Sequence, residues 1–193
     1  MTLALRTSMT LEEFLAWEAG QEFKHEFDGF GPVAMGETGV SPEVGVARAH
    51  AVIQGNLVVS LNTRLRGGPC RAFGSDLKIR ADGSIRYPDA FVTCTAGPNA
   101  STVVHDPAMV FEILSPGTAK TDRITKNREY RATPSIQRYV MLEQDEIAAT
   151  VFERAGEDWI GHVLAADAVL RMPEIGVEVP LAELYDGFDP AAD

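Results

Sequence analysis

The chain has 193 residues, 45% of them hydrophobic and 23% charged, a composition that suits one well-buried domain over 1–193 and excludes a chain too polar to fold. Its formal net charge of −11 argues against a protein that binds phosphates over its whole surface, and its apolar runs are far too short to cross a bilayer. The first ten residues carry one arginine and no long apolar stretch, so no secretory signal is expected and the chain reads as cytoplasmic.

Taken in order, the first element is a short helix: Thr10 can cap it, Glu13 completes a capping box, Leu11, Phe14 and Leu15 mark one face, and Gly20 ends it. Residues 23–28 read as a strand, Asp28-Gly29 as a turn, and 33–35 as a second strand. Residues 36–45, rich in glycine, form a loop. From about 46 to 66, Ala49, Ile53, Leu57, Leu61 and Leu65 recur every four residues, the pattern of a long helix that Gly67-Gly68-Pro69 stops. Strand-like runs follow at about 70–73, 77–80 and 87–93, with Asp82-Gly83 turning between the last two. Cys70 and Cys94 lack metal-ligand spacing and are expected to be buried free thiols.

After a polar loop over 95–106, a strand spans about 108–114 and Ser115-Pro116-Gly117-Thr118 breaks it. Thr118 or Thr121 can cap a second main helix that stops before Pro134. Runs at 136–142, 148–154 and 159–164 read as antiparallel strands, with a short strand at 177–179 and a helical turn at 181–185. The expected fold is mixed α/β, with a core over about 9–155 and a C-terminal strand extension over about 156–185.

Twelve of the 17 basic residues fall in two windows, 64–86 and 120–138, while 139–193 is strongly acidic, which permits a local basic face on an acidic protein. Three acids stand where apolar neighbours make an acid unexpected: Glu26 beside Phe27, Asp89 after Pro88, and Glu112 between Phe111 and Ile113. A lone ionised carboxylate in such a run costs several kcal/mol, roughly, unless something compensates it, and a divalent cation compensates two converging carboxylates. Behind Glu112, Asp122, Lys126 and Tyr130 fall at i, i+4 and i+8, so a helix folded over the strand end would point Lys126 toward the acids. Oxygen ligands suit Mg²⁺ or Mn²⁺, and a lysine can stabilise charge developing on a phosphate.

Tyr87-Pro88-Asp89, Val110-Phe111-Glu112-Ile113-Leu114-Ser115-Pro116-Gly117-Thr118 and Asp122-x-x-x-Lys126-x-x-x-Tyr130 together resemble the bacterial Uma-two family of endonucleases, a branch of the PD-(D/E)XK restriction-endonuclease-like superfamily. The likeness extends through Thr10 to Leu15, Glu26-Phe27-Asp28-Gly29, Ser41-Pro42, His50, Gly55-Asn56-Leu57 and Ser75-Asp76-Leu77-Lys78-Ile79. It implies a restriction-endonuclease-like core, with a mixed central sheet flanked by helices, and a divalent-metal site that cleaves DNA. By the same resemblance Asp89 and Glu112 are metal ligands, Glu26 an auxiliary ligand or water-positioning group, and Lys126 the catalytic lysine. The superfamily's usual lysine position holds Leu114 here. Phe30-Gly31-Pro32 departs from the acidic residue and short strand that normally follow the first Asp-Gly.

Other readings stand beside this one. Asp89 could cap backbone donors at a strand end, Glu26 could face solvent, and Lys126 could pair with Asp122 for about 0.3 to 0.5 kcal/mol. Lys78 and Lys120 are rival lysines, His50 reads as a packing or capping residue, and Tyr130 as a core-edge aromatic. The other histidines, His25, His105 and His162, lack zinc-ligand spacing. A non-catalytic nucleic-acid-binding or protein-interaction module on the same fold is the alternative, and a hydrolase of smaller phosphate esters a third. A homodimer would supply the second cut of a duplex, with the C-terminal strands as a pairing edge.

Overall fold

A computed structural model describes residues 8–35, 48–115 and 121–188, apart from the Asp122 side chain. The loop expected over 36–45, the cap Thr118 and the rival Lys120 lie outside the described residues.

Helix α1 (Leu11–Glu18) starts on the expected capping box: Thr10 Oγ1 accepts from Glu13 N while Glu13 Oε2 accepts from Thr10 N. Strands β1 (His25–Phe27) and β2 (Pro32–Ala34) form a hairpin, and α2 (Arg48–Leu65) is the long helix. Its four-residue apolar repeat buries Ile53, Leu57, Leu61 and Leu65 on one side. Next come β3 (Arg71–Gly74), β4 (Lys78–Ala81), β5 (Ser84–Arg86) and β6 (Ala90–Thr93). Asp82 and Gly83 close the β4–β5 hairpin with φ of 44° and 80°, the left-handed pair a two-residue turn requires.

The expected strand at 87–93 is therefore two structures. Tyr87-Pro88-Asp89 is a connection between β5, in a five-stranded sheet ordered β2-β1-β5-β4 with β7 (Val103–Val104) at its edge, and β6, in a six-stranded sheet. Pro88 cannot donate to a ladder, and the chain changes sheets around it. The six-stranded sheet continues from β3 and β6 through β8 (Met109–Leu114), β9 (Arg138–Glu143), β10 (Ala149–Ala155) and β11 (Asp158–Leu164). It is mixed, with β8 and β9 parallel and its other neighbours antiparallel, and the five-stranded sheet is mixed too through a parallel β4–β7 pair. The mixed α/β class holds, with two mixed sheets in place of one.

Between β8 and β9 the second main helix divides into a π-helical turn (Asp122–Lys126) and α3 (Asn127–Ala132). A small hairpin of β12 (Val169–Met172) and β13 (Val177–Pro180), then α4 (Leu181–Leu184), closes the described chain; β12 was not among the expected strands. Every residue of β8 is buried, as in a strand covered on both faces. Alternation sends Met109, Phe111 and Ile113 into a core that α2 covers, and Val110 and Leu114 into a second core with Tyr130 and Tyr139. Glu112 belongs to the second face by the same alternation.

Cys70 and Cys94 are joined in a disulfide, which corrects the expectation of free thiols. The reason is register: Arg71 pairs with Thr93, so one step further along β3 and β6 sets the two cysteines opposite each other. No described helix is long and apolar enough to cross a membrane.

Candidate active site

The β6–β8 register pairs Ala90 with Phe111, and one step further places Asp89 opposite Glu112. Directly opposed residues of antiparallel strands present their side chains on one side of the sheet. The acids expected to share a site are thus neighbours across the strand ends. Asp89 Oδ2 accepts from Ile113 N at 2.7 Å and Asp89 Oδ1 stands 3.2 Å from His50 Nε2. The backbone-capping role considered for Asp89 is therefore present, and it ties the carboxylate to the amide that follows Glu112.

Glu112 is 3% exposed, and Oε1 accepts from Lys126 Nζ at 3.0 Å and from Tyr130 Oη at 2.8 Å. The π-helical turn brings Lys126 to this point and α3 brings Tyr130. A π-turn adds a residue to the helical repeat, and such turns recur at functional sites. Tyr130, read from the sequence as a core-edge aromatic, instead bonds the central acid. Burial raises its pKa well above the usual tyrosine value, and the neighbouring Glu112 charge adds to the effect. It remains a donor over any working pH. Leu114, at the superfamily's usual lysine position, is buried in the second core.

The third acid arrives from the other sheet. Glu26, buried on β1, accepts from Arg86 Nη1 at 2.8 Å and from Tyr87 N at 3.1 Å, and its Oε1 lies 3.8 Å from Lys126 Nζ. The solvent-facing alternative for Glu26 is thereby removed. Arg86 also donates through Nε and Nη2 to the two Glu129 oxygens, each at 2.7 Å. This bidentate fork is the strong geometry for a guanidinium and a carboxylate. Burial of Arg86 opposes its charge, but the Glu129 bonds and the charges of Glu26 and Glu129 outweigh it and raise the pKa above the ordinary arginine value. Arg86 and Glu129 drew no attention in the sequence, where each looked like one more surface charge.

The rival Lys78 is elsewhere: buried, it donates to Glu18 of α1, whose other oxygen accepts from Tyr87 Oη at 2.7 Å. The described cluster holds four carboxylates (Glu26, Asp89, Glu112, Glu129) against Arg86 and Lys126. The excess of acid fits a divalent cation. Among the described residues, no group of three or more His, Cys, Asp or Glu is placed to hold a metal. Mg²⁺ demands less, because it is held by one or two carboxylates and keeps several waters. Asp89 and Glu112 fit that requirement in donor type.

The model of the family described as "Uma2: Putative restriction endonuclease" matches residues 11–182. The chain belongs to this Uma2 family. It is 32% identical over 180 residues to an uncharacterized protein of Synechocystis, with 91% of this chain and 90% of the relative covered. A second uncharacterized Synechocystis protein is 26% identical over 166 residues, covering 83% and 89%. Among solved structures, one titled as a putative nuclease belonging to DUF820 from Anabaena variabilis superposes with a TM-score of 0.71 at 20% identity, covering 92% of this chain and 98% of that one. The nuclease-like fold is thus shown for this Uma2 chain, and the acid cluster lies on that fold.

Proposed function

We propose that this Uma2 protein is a divalent-metal-dependent DNA endonuclease. The observation that carries the reading is the contact between Lys126 and Glu112, with Asp89 opposite on the next strand. A lysine missing from its usual strand position is supplied by a helix, at the acid where the chemistry needs it. Asp89 and Glu112 would hold Mg²⁺ or Mn²⁺, which would supply an activated water and polarise the phosphate. Lys126 would stabilise charge growing on the phosphate oxygens. Tyr130 donates to the same Glu112 oxygen that Lys126 bonds and so helps hold that carboxylate. Glu26 acts as the auxiliary acid: gripped by Arg86 and the Tyr87 amide, it sets the electrostatic environment of Lys126.

Cleavage of plasmid DNA with Mg²⁺ or Mn²⁺ that disappears in both Asp89→Ala and Lys126→Ala, with folding intact, supports the proposal. Cleavage persisting in both variants overturns it. A second reading, a non-catalytic binding module, is favoured by one observation: both oxygens of Asp89 and of Glu26 already have protein partners. Calorimetric titration with Mn²⁺ separates the two, because the module predicts no binding at millimolar metal.

A cytoplasmic location and a homodimer complete the proposal.

A further inference from the structure

His50 and Gln54 lie one helical turn apart at the start of α2, and both reach Asp89. His50 Nε2 stands 3.2 Å from Asp89 Oδ1, and Gln54 Nε2 donates to the Asp89 backbone oxygen at 2.8 Å and to Ser75 Oγ at 3.2 Å. With Ile113 N on Oδ2, Asp89 is held at its main chain by Gln54, at one carboxylate oxygen by the β8 backbone and at the other by His50. His50 is 9% exposed, and its Nδ1 is a buried atom without a hydrogen-bond partner among the described residues.

These facts assign the ring's proton. A proton on Nδ1 would leave a buried donor unmet and turn the Nε2 lone pair toward a carboxylate oxygen, two unfavourable arrangements at once. A proton on Nε2 gives Asp89 its donor. A histidine placed merely to fill a helix start would need neither this orientation nor a carboxylate partner.

We infer that His50 is a positioning residue for Asp89, fixing the orientation in which that carboxylate meets a divalent ion. The inference rests on the proposed metal site. Carboxylates that ligate metals are themselves hydrogen-bonded, and loss of such a partner typically lowers metal affinity by about 10- to 100-fold. Because Gln54 and Ile113 hold Asp89 independently, removing the His50 bond frees Oδ1 without displacing the residue.

The test uses the two amides that imitate the two ring nitrogens. In His50→Gln the amide nitrogen replaces Nε2, whereas in His50→Asn it lies near Nδ1 and falls short of Asp89. Mn²⁺ affinity is measured by calorimetry without DNA on the full chain, His50→Gln, His50→Asn and His50→Ala, alongside each melting temperature. The expected result is a loss of affinity of about 10- to 100-fold in the Asn and Ala variants and near-native affinity in the Gln variant. Equal loss in all three, following their melting temperatures, would reduce His50 to a packing residue and overturn the inference. So would unchanged affinity in all three. If the unaltered chain binds no Mn²⁺, the metal reading fails and the inference with it; binding that ignores His50 removes the inference alone.

Discussion

Lys126 Nζ lies 3.0 Å from Glu112 Oε1 and 3.8 Å from Glu26 Oε1, so a single ammonium joins an acid of the six-stranded sheet to an acid of the five-stranded one. The two sheets diverge at Tyr87-Pro88-Asp89, and this lysine bridges them beside that divergence. Replacing it with Met keeps the aliphatic stem and removes the charge. Lys126→Met is expected to lower the single-turnover rate of DNA cleavage by about 10²- to 10³-fold, the usual cost of losing one preorganised stabiliser of transition-state charge. Binding of a non-cleaved DNA in the same variant, measured by fluorescence anisotropy, is expected to change far less.

Arg86 carries more of the fold than of the chemistry. Removing it strands Glu129, whose two oxygens it bonds, and weakens the hold on Glu26, both in buried surroundings. Breaking a buried pair from one side costs about 3 to 5 kcal/mol. Arg86→Met is therefore expected to shift the urea midpoint strongly downward. The double variant Arg86→Met with Glu129→Leu is expected to recover part of that loss, since it removes the stranded acid as well. Equilibrium urea unfolding of the single and double variants checks this.

Much of this arrangement was legible in the chain, and the boundary has a physical cause. Periodicity located α2 and β8, and an acid in an apolar run identified Glu112, because both signals are local. Arg86 and Glu129 escaped notice, and His50 was read as a packing or capping residue, because their meaning lies in partners far along the chain, and those meetings depend on the sheet change at Tyr87-Pro88-Asp89. The disulfide was illegible for a related reason. Cys70 and Cys94 become neighbours only once β3 and β6 are paired in one register, and a single residue of slip would separate them.

The pH dependence of stability should have two identifiable limbs. Burial pushes the Glu18 carboxyl up, but the bonds from Lys78 and Tyr87 outweigh it, and its folded pKa lies below the ordinary value. The stability it contributes is present above the unfolded-state pKa and is lost as pH falls through the folded one. Glu18→Gln is thus expected to be less stable than the parent near neutral pH, with the gap narrowing on acidification. Tyr87 has the opposite sign: burial first, then Glu18, raise its pKa. Its contribution is complete below the unfolded value of about 10 and declines as pH rises beyond it. Tyr87→Phe should flatten that alkaline decline, and denaturation midpoints taken across pH measure both limbs.

The Cys70–Cys94 disulfide closes a loop with a sequence separation of 24 and ties β3, the edge strand, to β6, the strand that follows Asp89. Its effect is exerted mainly on the unfolded chain, whose ends it keeps together, and for a loop of this length the expected stabilisation is about 3 kcal/mol. Reduction, or Cys70→Ser with Cys94→Ser, should lower the unfolding free energy by up to that amount. The native β3–β6 pairing should survive, because Arg71 to Gly74 remain in register with Ala90 to Thr93 through backbone bonds. Urea unfolding with and without reductant gives the first quantity. Amide hydrogen exchange across β3 and β6 gives the second, and loss of protection on reduction would show that the disulfide, rather than the ladder, sets the position of the strand leading from Asp89.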